Sequence, residues 1–100
     1  MRLYLTADVV ALRSLRDGAS VTLPGFAAAS DDEEDEFAAL AAASDAGTVV
    51  VVAEVDHPDE GDDQAITLDE VEAVHVDVDG SGDLAWYATQ EIDMVLDLLA

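Results

Sequence analysis

The chain has 100 residues, of which 24 are Asp or Glu and only three, all Arg, are basic, so its net charge is −21. This charge excludes nucleic acid as a partner, because phosphate contacts need a cationic face. The chain is 51% hydrophobic and has no Cys, which favours a folded domain over an acidic tail and excludes thiolate metal sites and Cys nucleophiles.

The first half of the chain alternates strands with helices. Residues 2–6 alternate as a half-buried strand does, and the next helix has an apolar stripe that includes Leu12. A short strand over 20–23 is expected to stop at Pro24-Gly25. The next helix begins with an acidic first turn, which suits the positive end of its dipole. Its predicted core stripe consists of Phe37, Leu40 and Ala41.

The sequence pattern of the second half of the chain predicts three more strands and a last helix. The β-branched run 48–55 indicates an interior strand covered on both faces, or on one face by a partner. The acidic segment 57–65 is expected to be a mobile loop, and Thr67 to Glu70 has the spacing of a capping box. Residues 73–79 alternate with valines inward, 84–87 return as a strand, and a last helix follows.

The element order, β-α-β-α-β-(short α)-β-β-α, predicts a single α/β (α+β) domain over residues 1–100. We expect a two-layer sandwich, with three helices on one face of a mixed sheet of about five strands. No apolar stretch approaches the ~20 residues that span a bilayer, and no signal peptide is recognisable. We therefore expect a cytoplasmic protein without membrane contact.

The excess of acids predicts adaptation to a salt-saturated cytoplasm. Self-repulsion of this size opposes a compact state in dilute buffer, and molar salt screens it. The fold is expected to need molar salt, with solvated monovalent cations around its carboxylates.

One loop resembles the first part of a calcium-binding EF-hand loop. Its candidate metal ligands are Asp77, Asp79, Ser81 and Asp83. The closing bidentate Glu of such loops is replaced by Ala88, and a strand precedes the loop where a helix should stand. The alternative is a hairpin turn rich in Gly and Asp.

Catalysis is weakly indicated. His75 shares a strand face with Asp77 and Asp79, which suits a general base, a weak metal ligand or a small-ligand binder, with a solvated sheet face as the alternative. No nucleophile or phosphate loop accompanies it, so no catalytic residue or cofactor is predicted. Arg13 and Arg16, nearly one turn apart, suit internal ion pairs or an anionic partner.

Exposed apolar residues favour protein interaction. Trp86 and Tyr87 are strand neighbours, so one of them should face away from the core. Met94 and Leu98 widen the apolar face of the last helix beyond what a small domain buries. These four residues are the predicted contacts of a non-enzymatic interaction module, either a homodimer or a complex with one protein partner.

Several short stretches resemble a small family of uncharacterised bacterial and archaeal proteins. The similar stretches are Arg2-Leu-Tyr-Leu, Leu12-Arg13-Ser-Leu15, Phe37-Ala-Ala-Leu40, 49–55, 68–77 and 84–96. The resemblance implies a shared α/β domain and no assigned activity, and this chain is shorter and more acidic than those proteins.

Overall fold

A six-stranded sheet forms the centre of the structure, a computed structural model that describes residues 1–28, 30, 32–45, 49–56, 61, 63–77 and 84–99. The strands are β1 (Arg2–Ala7), β2 (Val21–Ala27), β3 (Val49–Glu54), β4 (Asp63–Ile66), β5 (Val71–Val76) and β6 (Ala85–Ala88). Their order is β4-β2-β1-β3-β5-β6, and the described neighbours all pair antiparallel. In this sheet β4 and β6 are the edges.

Three helices cover the sheet: α1 (Val9–Arg16), α2 (Glu33–Asp45) and α3 (Ile92–Leu99). Two short 3₁₀ turns, Leu68–Glu70 and Thr89–Glu91, precede β5 and α3. The N–H of Ala11 donates to Asp8 Oδ1 at 2.8 Å and caps α1. The N–H of Thr67 donates to Glu70 Oε1 at 3.0 Å, which confirms the predicted capping box.

The two faces of the sheet support separate cores. Leu3 and Leu5 of β1 join a large cluster with the buried residues of α1 and α3, whereas Tyr4 joins a smaller cluster under α2. All the residues 49–53 of β3 are 5% exposed or less. The prediction of an interior strand covered on both faces is therefore confirmed.

The α/β class, the three helices and their order are confirmed, but the layer arrangement differs. Helices lie on both faces of an antiparallel sheet, not on one face of a mixed sheet. Sequence periodicity shows which residues of a helix are buried but not which sheet face the helix covers. For α2 the predicted stripe was right at Leu40 and wrong at Phe37, which is 68% exposed, and the buried residues that join Leu40 are Ala39 and Ala43.

The prediction of about five strands missed β4. Residues 63–65 belong to the predicted acidic loop, yet Asp63–Ile66 pairs with β2 and buries Gln64 and Ile66 on alternate positions. The acidic composition masked this alternation. Residues 57–60 and 62 of the predicted loop lie outside the described residues.

The strand β2 also continues past its predicted end. Residues 21–24 pair with β4 and residues 25–27 pair with β1, so Pro24 lies where the strand changes partner. A residue without an N–H is tolerated where a strand is paired on one side only.

Candidate functional site

A bulge in β5 lies beside a hollow on the same sheet face as α2, in the part of that face that α2 does not cover. Val52 lies opposite Ala73 and Ala53 lies opposite Val71, so Glu72 is an extra residue in β5. The hydroxyl of Thr89 donates to the carbonyl oxygen of Val71 at 2.7 Å, beside this bulge. The hollow, here called the sheet-face recess, measures about 290 Å³. It is lined by Arg2, Tyr4, Val52, Glu72, Ala73, His75 and Trp86.

An ion-pair cluster forms one end of the sheet-face recess. Arg2 Nε lies 3.2 Å from Glu72 Oε2, and Arg2 Nη1 lies 3.2 Å from Glu36 Oε1 of α2. The Glu72 carboxylate, more than any other group, raises the pKa of Arg2. Burial, followed by the Glu36 carboxylate, raises the pKa of the Tyr4 phenol. Both groups therefore keep their protons at neutral pH.

His75 and Trp86 form the other end of the sheet-face recess. His75 is half-buried and lies directly between Val50 of β3 and Trp86 of β6. Burial lowers the pKa of His75 below its ordinary value of 6.5, so the imidazole is neutral at pH 7. The predicted inward positions Val74 and Val76 are fully buried. His75 is thus a neutral wall of the recess and not a group on a freely solvated face.

This lowered pKa predicts a loss of stability on acidification. Above the ordinary pKa of His75, the imidazole is neutral in both the folded and the unfolded chain. As the pH falls below about 6.5, the unfolded chain takes up a proton that the folded chain resists, so the free energy of unfolding decreases. We expect the urea midpoint to drop between about pH 7.5 and pH 5.5, and to drop less in His75→Gln.

Arg2, Tyr4 and Glu72 face the same recess, and all three remain in the variant together with His57, so the difference between the two proteins isolates His75. Equal pH dependence in both proteins would contradict the burial of the imidazole.

Trp86 and Tyr87, the neighbouring aromatic residues that the sequence analysis singled out, lie on opposite faces of β6. Trp86 is 60% exposed on the recess side, whereas Tyr87 is half-buried and packs against the core beneath α1 and α3. One of the two rings faces away from the core, as predicted.

Met94 and Leu98 lie on the flank of α3 nearest the β6 edge. Arg16 Nη1 lies 3.6 Å from Asp93 Oδ1, so the Asp93 flank of α3 faces α1. Leu98 lies on the opposite flank, with residues 92, 95 and 96 buried between it and Asp93, and Met94, one turn before Leu98, lies between that flank and the solvent side of the helix. α3 packs against β6 while α1 packs against β2, so this flank points toward the β6 side of the sheet. Met94 and Leu98 are 44% and 45% exposed.

The two predicted ion-pair residues, Arg13 and Arg16, differ in whether they have an acidic partner. Arg16 pairs with Asp93 and, at 3.3 Å, with its neighbour Asp17. Arg13 is exposed and has no ion pair within 4 Å among the described residues. The cation that joins separate elements at the recess is Arg2, which the sequence analysis did not single out.

The predicted metal loop falls almost entirely outside the described residues. Asp77 is half-buried, and Asp79, Ser81 and Asp83 are not described. In the part of the chain that the structure covers, no three His or acidic side chains are grouped to hold a metal. A second hollow of about 510 Å³ has acidic walls that include Glu54, Asp56, Asp69 and Glu70. The calcium-like loop stays a prediction.

Comparison with known proteins does not assign the chain to a family. No protein family, curated protein or solved structure matches the chain. The resemblance to uncharacterised prokaryotic proteins therefore stays a prediction. The longest described helix, α2, has 13 residues, and none of the helices that the structure describes is long and apolar enough to cross a membrane.

Proposed function

We propose that this chain is a non-enzymatic homodimeric module of a salt-rich cytoplasm, assembled by antiparallel pairing of two β6 edges. The observation that carries the proposal is the composition of that edge. All four residues of β6, Ala-Trp-Tyr-Ala, are uncharged in a chain in which 24 of 100 residues are acids. Edge strands of monomers are usually protected by charge, proline or a covering element.

The other edge of the sheet has such protection. β4 carries the charged residue Asp63 among its four residues. Within the described sheet, β6 pairs only with β5 and leaves its outer side open. The two edges thus differ in the way expected if β4 faces solvent and β6 faces a partner.

Exposed apolar side chains flank the β6 edge on both faces. Trp86 lies on the recess side, and Met94 and Leu98 lie on the α3 side. A second β6 placed beside the first would cover both groups at once, because each face of the extended sheet continues into the partner.

A second copy fits this edge better than a cationic partner does. An isologous interface matches a patch with itself, and an uncharged edge matches another uncharged edge. A basic partner would be drawn first to the carboxylates elsewhere on the surface. Since each copy carries −21, we expect the dimer to form only where salt screens the repulsion.

The test is the molar mass in about 2 M KCl, measured by sedimentation equilibrium and light scattering. We expect twice the chain mass of 10.5 kDa. Leu98→Asp should give monomers, because it places a charge in the proposed interface. Val10→Asp is the matched control, because Val10 is 63% exposed on α1 and lies outside the interface.

A wild-type chain that stays at 10.5 kDa up to about 1 mM would overturn self-association. Equal dissociation by Leu98→Asp and Val10→Asp would place the contact elsewhere. If the wild type instead captured another protein in stoichiometric amount, and Leu98→Asp did not, the partner at the β6 edge would be that protein and not a second copy of the chain.

A further inference from the structure

The sheet-face recess has room for one flat ring. Its floor consists of Tyr4, Val52 and Ala73, which lie side by side on three adjacent strands and are each 6% exposed or less. The neighbour of Ala73 on β6 is Ala88, so no large side chain rises from this part of the floor.

Two walls stand on either side of this floor. The floor residues form one row across the strands, and on β1 this row passes through Tyr4. Arg2 and Thr6, two residues to either side of Tyr4, belong to the two rows that flank it, which lie about 13 Å apart at about 3.3 Å per residue. Arg2 and Glu72 form the wall of one row, and His75 and Trp86 form the wall of the other. The volume of about 290 Å³ is close to the lower limit of small-molecule pockets, so one ring with its substituent fits.

The charges around the recess favour a cation over an anion. Arg2 offsets only one of the two carboxylates beside it, Glu36 and Glu72, and the chain as a whole carries −21. The neutral imidazole of His75 adds no opposing charge. Glu72 accepts from Arg2 through one oxygen, and a carboxylate has further acceptor positions.

We propose that the sheet-face recess binds a small planar organic cation, such as an aromatic amidinium or guanidinium. Its N–H groups donate to Glu72, and its plane stacks on the exposed indole of Trp86, which attracts a cation to its face. The lining residues all belong to one chain, but Trp86 also lies at the proposed β6 interface, so binding is measured on the Leu98→Asp monomer as well as on the wild type.

Three probes of nearly identical shape test the charge preference: benzamidine is cationic, benzamide is neutral and benzoate is anionic. Trp86 is the only Trp of the chain, so in the Leu98→Asp monomer, where no second copy covers the indole, its fluorescence reports on the recess. The titrations are run at the lowest KCl concentration at which the circular dichroism of the protein is native. We expect saturable binding of benzamidine, at least about tenfold weaker binding of benzamide, and none of benzoate.

Matched variants locate the site. Glu72→Gln should raise the dissociation constant of benzamidine about tenfold. Glu34→Gln removes the same charge from an exposed position of α2 outside the recess, and should leave it unchanged. Ala73→Leu should abolish binding by filling the floor, with its fold checked by circular dichroism.

Leu98→Asp should bind benzamidine at least as tightly as the wild type does, because it leaves Trp86 uncovered, and this separates the test from that of the dimer. Equal binding of the three probes, no saturable signal, or equal effects of Glu72→Gln and Glu34→Gln would overturn the proposal.

Discussion

Transfer from about 2 M to about 0.1 M KCl is expected to unfold the chain or to lower its urea midpoint sharply, because the Debye length grows from about 2 Å to about 10 Å. The chain has 24 acids and only three Arg. Arg2 and Arg16 are already shared among Glu36, Glu72, Asp17 and Asp93. Most carboxylates therefore have no cationic side chain to offset them, and their mutual repulsion is released at low salt.

Salt also strengthens the burial of apolar groups, so the two effects need separate controls. Sucrose favours compact states without screening charge, and should not replace KCl. The double variant Asp56→Asn with Asp69→Asn lowers the charge of the acidic hollow, and should lower the KCl concentration needed for folding. Circular dichroism along a KCl titration measures both. Equal stability at high and low KCl would contradict adaptation to salt.

Leu12→Ala is expected to lower the free energy of unfolding by roughly 2–5 kcal/mol. Leu12 is 0% exposed and packs in the cluster between α1, α3 and the sheet. The substitution removes buried methyl groups and leaves a cavity that the surrounding side chains fill only partly. A loss of this size is a large part of the ~5–15 kcal/mol that stabilises a typical domain.

The matched control for Leu12→Ala lies two residues away in the same helix. Val10 is 63% exposed, so Val10→Ala should change the free energy of unfolding by less than about 0.5 kcal/mol. Urea unfolding in molar KCl measures both variants under conditions where the fold is intact. Similar losses for the two variants would show that α1 does not bury the face assigned to it.

The apolar patterns predicted most of the fold because they are local. The alternation in 73–76 and the turn-spaced residues of α1 and α3 each repeat at the period of a single element. The interior position of β3 followed from its β-branched run, since a strand covered on both faces has no polar side. The pattern failed in α2, where an alanine-rich helix has no distinct stripe, and in β4, where acids hid the alternation of Gln64 and Ile66.

The sequence by itself determined the charge, the α/β class and the candidates for exposed apolar positions on β6 and α3, because these depend on composition and on periodicity within one element. Only the tertiary structure decided that helices lie on both faces, that Trp86 and Leu98 flank one sheet edge, and that Arg2 meets Glu72 beside Tyr4. Arg2 and Glu72 are 70 residues apart in the chain. Their contact depends on strand order and on the bulge in β5, which no local pattern in a single sequence encodes.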